Sequence, residues 1–329
     1  MSENIRVLMI SKNTDNSHLV EFKVINENQL MKGNVIVKVT HSTLNYKDGL
    51  AITGKRPVIR NWPMVPGVDL SGIVEKSDDS SFSKGDRVVL NGHGIGEKHF
   101  GGFAEKARVS GDWLIHLPEN ISCENSMAIG SAGLTAMLSV IEIEKKIKPQ
   151  DGEILVTGSS GGVGSIAIML LSELGYSVVA STKDGVNNDY LKQIGANKVV
   201  NRNIFNDEVK KLDKQKWAGV IDVVGSKTLA HAISQTFYGG TVISCGLAQG
   251  DDLPVSVMPF IIRAVTLRGI ESINVDRVSR INAWTRLSEI MNFDKLEMIK
   301  VKANYIDIMD LGKKIVQGEI KGRVVFKIN

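Results

Sequence analysis

The chain has 329 residues, with 40 Lys+Arg against 36 Asp+Glu for a formal net charge of +4, and 43 % of its residues are hydrophobic. That balance excludes a disordered chain, and a charge so near neutral, with signs mixed along the sequence, leaves no basic face for nucleic acid. Two cysteines, Cys123 and Cys245, are too few for a disulfide framework or a four-cysteine zinc site, while the 32 glycines are many.

At about 150 residues per domain the length predicts two domains. The first 125 residues read as β-rich. Short β-branched runs occupy 5–10 and 35–40, and a strand-like run at 67–74 contains Gly67 and Gly72. A turn at 84–87 feeds a strand at 88–90, and 91–102 is a loop with five glycines. From about residue 126 the spacing becomes helical, first over 127–141. A βα series follows: strand 153–157, helix 163–174, strand 177–182, helix 188–194, and strands 198–201 and 220–224. A helix at 227–237 and strands at 241–245 and 266–269 complete it. This order predicts a parallel sheet covered on both faces, a doubly wound α/β domain over 126–269. A long amphipathic helix near 277–291 and a strand at 324–328 are placed to return to the first domain, which 270–329 would complete. No apolar run approaches the ~20 residues that span a bilayer. The start, Ser2-Glu3-Asn4, lacks the pattern of a signal peptide. A cytoplasmic chain without a membrane partner is expected.

Thr157-Gly158-Ser159-Ser160-Gly161-Gly162-Val163-Gly164 follows a strand and opens an apolar helix, the context of a dinucleotide fingerprint. Gly161 would let the backbone approach a pyrophosphate, and Gly164 would let helix and strand pack closely. Free N–H groups at the helix start would receive the phosphates. Ser159 departs from the common pattern, which has glycine there. The second strand ends in Ser181-Thr182-Lys183, where an NAD enzyme carries an acid. Hydroxyls and a cation suit a 2′-phosphate, so NADPH is the expected cofactor. Asp184 follows closely, and a solvated loop lysine is the plain alternative for Lys183.

A β-rich half, a Rossmann half and a returning strand together resemble the medium-chain dehydrogenase/reductase superfamily. The strings at 42–48, 66–72 and 160–164 resemble its zinc-free quinone oxidoreductase branch. Those at 51–55, 111–114, 130–137 and 257–261 are similar to the YhdH/YhfP family, whose best-defined members are NADPH-dependent acryloyl-CoA reductases. The resemblance implies a GroES-like catalytic domain at 1–125 beside a Rossmann NADPH-binding domain. It also implies a homodimer paired through an edge strand of the cofactor domain. Zinc members carry a cysteine near Leu44-Asn45 and a His-Glu pair where this chain has Val68-Asp69. His93 and His99 lie in the glycine-rich loop without a cysteine, so no zinc is expected.

Without a metal, hydrogen-bond donors must polarise the carbonyl. The resemblance implies hydride transfer from NADPH to the β-carbon of a 2-enoyl-CoA thioester, as in acryloyl-CoA to propionyl-CoA. Asn45 and Tyr46 are the natural donors: an amide for the oxyanion and a phenol for the proton. Tyr46 equally suits a shelf for the nicotinamide. Arg323 would hold cofactor or substrate, or form a plain salt bridge. Asp48 reads as a structural partner of backbone N–H groups or of Lys47. The resemblance assigns the cofactor to Tyr46, Thr135, Ser160, Gly161, Gly162, Val163, Ser181, Thr182, Lys183, Arg202, Leu247, Ile262 and Ser272. By polarity alone Leu247 and Ile262 would be core residues. Lys55, Arg56 and Arg60 are compatible with CoA phosphates or with an ordinary basic surface. A quinone acceptor on the same fold, or a non-catalytic NADPH-binding protein, are the competing functions.

Overall fold

The computed structural model describes residues 3–15, 17–183 and 188–329. The chain forms two compact units. The first comprises Met1–Ser131, Ile273–Ser288 and Lys300–Asn329, and the second Ala132–Ser272 and Glu289–Ile299.

The first unit is built on strands β3 (Val35–Thr43), β4 (Asp69–Ser77), β5 (Arg87–Asn91) and β7 (Ile115–His116). Strand β6 (Lys106–Val109) also pairs with β3, and β1 (Asn4–Lys12) and β2 (His18–Asn26) form a separate antiparallel pair. Strands β14 (Lys300–Asn304) and β15 (Arg323–Lys327) complete the main sheet in the order β14-β15-β3-β4-β5-β7. The returning strand therefore does insert, with Val325 opposite Thr43 and Lys327 opposite His41. Burial follows the alternation of β3, whose Val35, Val37 and Val39 join Leu70, Leu90, Phe103 and Phe326 in one apolar core. Helix α1 (Tyr46–Thr53) leaves β3 almost at once and stops at Gly54 in the left-handed conformation.

The second unit holds a six-stranded sheet in the order β10-β9-β8-β11-β12-β13, every pair parallel. Its strands are β8 (Ile154–Val156), β9 (Val178–Thr182), β10 (Lys198–Asn201), β11 (Trp217–Asp222), β12 (Thr236–Ser244) and β13 (Thr266–Gly269). This is the doubly wound order: successive strands are added outward in one direction from β8 to β10 and in the other from β11 to β13, and such folds bind ligands at that switch between β8 and β11. Leu155, Val179, Val220, Ile233 and Val242 lie in its core.

Helix α2 (Cys123–Glu144) is broken at Gly130, whose φ of 52° and ψ of −160° are not helical. By length and composition α2 would qualify to cross a membrane, contrary to the sequence expectation, yet 83 % of that apolar window is buried inside the protein. The next helices are α3 (Gly162–Glu173), α4 (Asn188–Gln193), α5 (Ser226–Ser234) and α6 (Met258–Arg263). The predicted helix at 227–237 ends early. Thr236 already pairs with Trp217 in the sheet, while its hydroxyl donates back to Ala232 O at 2.7 Å. Helix α7 (Arg277–Ile290) buries Arg280, Ala283, Trp284 and Leu287, one face at helical spacing. Helices α8 (Phe293–Ile299) and α9 (Ile308–Gln317), with α1, α6, β2, β6, β7 and β14, lie outside the predicted elements.

Candidate active site

In the first unit the candidate residues converge on one buried carboxylate. Asp69 opens β4, fully buried, and takes four hydrogen bonds. Asn91 Nδ2 at 2.7 Å and Ser131 Oγ at 2.5 Å donate to Oδ1. Asn45 Nδ2 at 2.8 Å and Ser131 N at 2.9 Å donate to Oδ2. Those four bonds use the acceptor capacity of an ionised carboxylate.

Asn45 is held at both ends of its amide. Its Nδ2 donates to Asp69, and its Oδ1 accepts from Arg323 Nη1 at 3.1 Å. Arg323 is only 4 % exposed. It also donates from Nε to Ala128 O at 3.0 Å and from Nη2 to Thr43 Oγ1 at 3.0 Å. Burial pulls the guanidinium below its ordinary range, and the charges of Asp69 and Asp48 hold it up. The arginine is thus committed to the protein from all three nitrogens.

Asp48, at the third position of α1, accepts from Asn45 N at 2.8 Å and from Val68 N at 3.0 Å. It is the structural partner that the sequence suggested, and Lys47 pairs instead with Glu97 at 2.8 Å. Burial pushes the Asp48 carboxyl up to about 7 against those two hydrogen bonds, and the nearby Asp69 charge adds to the rise. Tyr46 begins α1 and is 48 % exposed, with its ring at the surface. Lys55, Arg56 and Arg60 are exposed just beyond the same helix.

The break in α2 explains how this polar cluster is satisfied. With Gly130 out of helical geometry, Ser131 N is free to reach Asp69 and Ala128 O to reach Arg323. An anion meets a helix start and a cation meets a helix end, as the backbone dipoles favour. A Cβ on Gly130 would lie 2.6 Å from Arg323 Nη2 and 2.8 Å from Asp69 Oδ2.

In the second unit the glycine-rich turn sits at the carboxyl end of β8. A Cβ on Gly164 would come within 2.4 Å of Gly158 O, whereas one on Gly161 would meet only that oxygen, at 3.3 Å. Gly164 is therefore required by helix packing, and Gly161, at the N-cap of α3, leaves open space of the kind a phosphate needs. Ser159 is buried, its hydroxyl donating to Val156 O at 2.7 Å, so the missing glycine is replaced by a turn-closing bond. Ser160, Gly162 and Val163 are partly accessible beside it.

Ser181 and Thr182 are buried at the end of β9, and Lys183 is exposed. Strand pairing sets Asn201 opposite Thr182, so Arg202 and Lys183 leave neighbouring strands at the same level. Asp184 lies outside the described residues. Thr135 donates to Ser272 Oγ at 2.8 Å, which joins two predicted residues 137 positions apart. Leu247 and Ile262 are not core residues as polarity suggested: they are 50 % and 54 % exposed.

A second buried carboxylate, missed in the sequence, organises this end of the sheet. Asp222 Oδ1 accepts from Thr157 Oγ1 at 2.6 Å, and Oδ2 accepts from Val224 N at 3.2 Å and Gly225 N at 2.7 Å. Burial raises its pKa. Burial, with the Asp222 charge adding to it, pushes the adjacent Cys245 thiol up to about 12, too high for a reactive thiolate at neutral pH. A groove within the first unit, about 680 Å³ and lined by His41, Lys302, Lys314 and Lys327 among others, contains none of the predicted site residues.

Two family models match the chain: the alcohol dehydrogenase GroES-like domain over residues 31–119 and the zinc-binding dehydrogenase over residues 162–289. The chain is 44 % identical to the probable acrylyl-CoA reductase AcuI of Escherichia coli K12, covering 98 % of this chain and 99 % of that protein. It is 40 % identical to the putative quinone oxidoreductase YhfP of Bacillus subtilis, over the whole of both. The solved structure of the yhdH oxidoreductase from Salmonella enterica in complex with NADP matches with a TM-score of 0.96 at 45 % identity, over 98 % of this chain and all of that one.

The zinc in the name of the second family model does not fit these residues. Asp69 has its lone pairs taken, Val68 offers no ligand, and His99 makes hydrogen bonds to Lys32 O and Phe100 O. Among the described residues the one close grouping of three possible ligands is Glu3, Glu27 and Glu75, and Lys106 Nζ binds all three.

Proposed function

The chain belongs to the medium-chain dehydrogenase/reductase superfamily, in the branch of AcuI and YhfP, and from that premise we propose a zinc-independent, NADPH-dependent reductase of a small 2-enoyl-CoA thioester. The single observation that carries the chemistry is the Asn45 carboxamide, clamped between Asp69 and Arg323. Its Nδ2 donates to Asp69 and also bonds the Asp48 carboxyl, and a carbonyl oxygen would take the donor now shared with Asp48.

NADPH, when bound, supplies the hydride that adds to the β-carbon. The π electrons of the C=C bond then move toward the thioester oxygen, and Asn45 Nδ2 donates to the enolate oxygen that forms. Tyr46, exposed at the start of α1, gives its phenolic proton to the α-carbon and is recharged from water, or else it supports the nicotinamide ring. Arg323 would act through Asn45, each of its three nitrogens already giving one hydrogen bond within the protein.

In the second unit the turn from Ser160 to Val163 would receive the pyrophosphate at the start of α3. Ser181, Thr182, Lys183 and Arg202 would receive the 2′-phosphate, which is why NADPH is preferred to NADH. Thr135, Ser272, Leu247 and Ile262 would serve the nicotinamide half. The fit of the turn is supported by the open space over Gly161. The name of AcuI and the exposed cations Lys55, Arg56 and Arg60 favour a CoA thioester over a quinone. The outer strand β13, with Val257 and Ile261 exposed, supports a homodimer.

The test is NADPH oxidation followed at 340 nm in metal-free buffer. Turnover of acryloyl-CoA with NADPH, and slower turnover with NADH, is the expected result. Fast turnover of a benzoquinone with no reaction of any 2-enoyl-CoA would overturn the substrate assignment in favour of the activity that YhfP is named for.

A further inference from the structure

We infer that Asp69 is a positioning residue whose task is to fix which way the Asn45 amide faces, and that the Gly130 break in α2 exists to make this possible. The inference rests on the reductase reading for its kinetic consequence, though not for its structural one.

A carboxamide can sit in its site in two orientations that differ by exchange of oxygen and nitrogen. At Asn45 only one is compatible with its neighbours. Asp69 Oδ2 can only accept, and Arg323 Nη1 can only donate. A flipped amide would set oxygen against carboxylate and N–H against guanidinium, two repulsive contacts beside the buried Asp69 and Arg323. Asp69 therefore selects the orientation in which the remaining Nδ2–H is a donor, the form an enolate oxygen requires.

Asp69 can do this because it is itself immobile. Asn91 holds Oδ1 and is in turn fixed by Trp284 Nε1 at 3.2 Å and by Arg280 Nη1, which donates to Asn91 O at 2.7 Å. Ser131 supplies its hydroxyl and its N–H, the second of which an unbroken helix would spend on its own carbonyl ladder. The site thus takes from α2 one donor for Asp69 and one acceptor, Ala128 O, for Arg323.

Two measurements test the inference. In the first, Asp69→Asn should lower kcat for acryloyl-CoA by about 100-fold, the scale of losing one oxyanion donor. KM for NADPH should stay within about threefold. Because Asp69 acts through Asn45, Asn45→Ala and the double variant should have equal kcat. A kcat for Asp69→Asn within about threefold of wild type, or losses that multiply in the double variant, would overturn the proposal. The second measurement uses wild-type protein, so it stands even if Asp69→Asn does not fold. In 15N-edited spectra, with Asn45→Ala identifying the signal pair, one Asn45 side-chain proton should exchange with solvent at least about tenfold more slowly than its geminal partner. Equal exchange of both protons would sink the clamp. If wild type turns over neither acceptor, the reductase reading fails while this spectrum still decides the clamp.

Discussion

Two buried carboxylates stand at strand ends, one in each unit, and they hold different things. Asp69 binds side chains: Asn45, Asn91 and the Ser131 hydroxyl, with one backbone N–H beside them. Asp222 binds a loop: the N–H groups of Val224 and Gly225, and Thr157, which itself accepts from Val223 N at 3.1 Å. The first unit thus fixes a side chain, and the second fixes main chain. On the proposed function, the first would aim one donor at a carbonyl and the second would hold a nucleotide. The contrast predicts that damage to the first carboxylate acts on kcat and damage to the second on cofactor affinity.

The sharpest break of this contrast is Asp222→Ala. It strands the Thr157 hydroxyl and two backbone donors, which should cost about 2–4 kcal/mol of stability and be visible as a lower urea midpoint. Fluorescence titration should find NADPH bound at least roughly tenfold more weakly, while kcat at saturating NADPH stays near wild type. A variant that binds NADPH normally but has lost kcat would erase the distinction between the two sites. Next in size is the pair Gly164→Ala and Gly161→Ala. The first drives a Cβ to 2.4 Å from Gly158 O and should destabilise the fold by about 1–3 kcal/mol, as overpacking does. The second has room within the protein and should leave the thermal midpoint nearly unchanged while weakening NADPH binding. Equal effects on stability would mean that the space over Gly161 is not reserved for a ligand.

The smallest expected effect concerns Asp48. Its folded pKa of about 7 lies above the ordinary 3.8, so its neutral form is the one the fold prefers. Its contribution is complete below about pH 4 and is lost as pH rises through 7. The urea midpoint of wild type should therefore fall relative to that of Asp48→Asn, which cannot ionise, as pH rises from 5 to 8. A wild-type midpoint that rises relative to the variant over that range would mean that the carboxylate is held ionised.

The cofactor half was legible because its signals are local. The strand, the turn at 157–164 and the helix are consecutive, and the hydroxyls and cation at 181–183 end the next strand. The first unit was legible only in outline. Asn45 meets Asp69 across 24 positions, Asp69 meets Ser131 across 62, and Arg323 meets Asn45 across 278. No periodicity reports such pairs, so the role of Asp69 is invisible until the sheet is formed. Asp222 was missed for another reason: at the end of an apolar strand run it reads as the first residue of a turn. By polarity alone Leu247 and Ile262 would be core residues, because polarity cannot tell a core residue from one at a surface. Helix α9 escaped notice although it ends in Gly318 with positive φ, a stop signal that was there to be read.

The insertion of β15 between β14 and β3 sets a schedule for the nascent chain. Most of the second unit, residues 132–272, is synthesised before residue 323. Until then the Asn45 amide lacks its cation and the first sheet lacks a strand next to β3, an open edge that invites pairing with other chains. A chain that stopped before residue 323 would lack both that strand and the cation on Asn45.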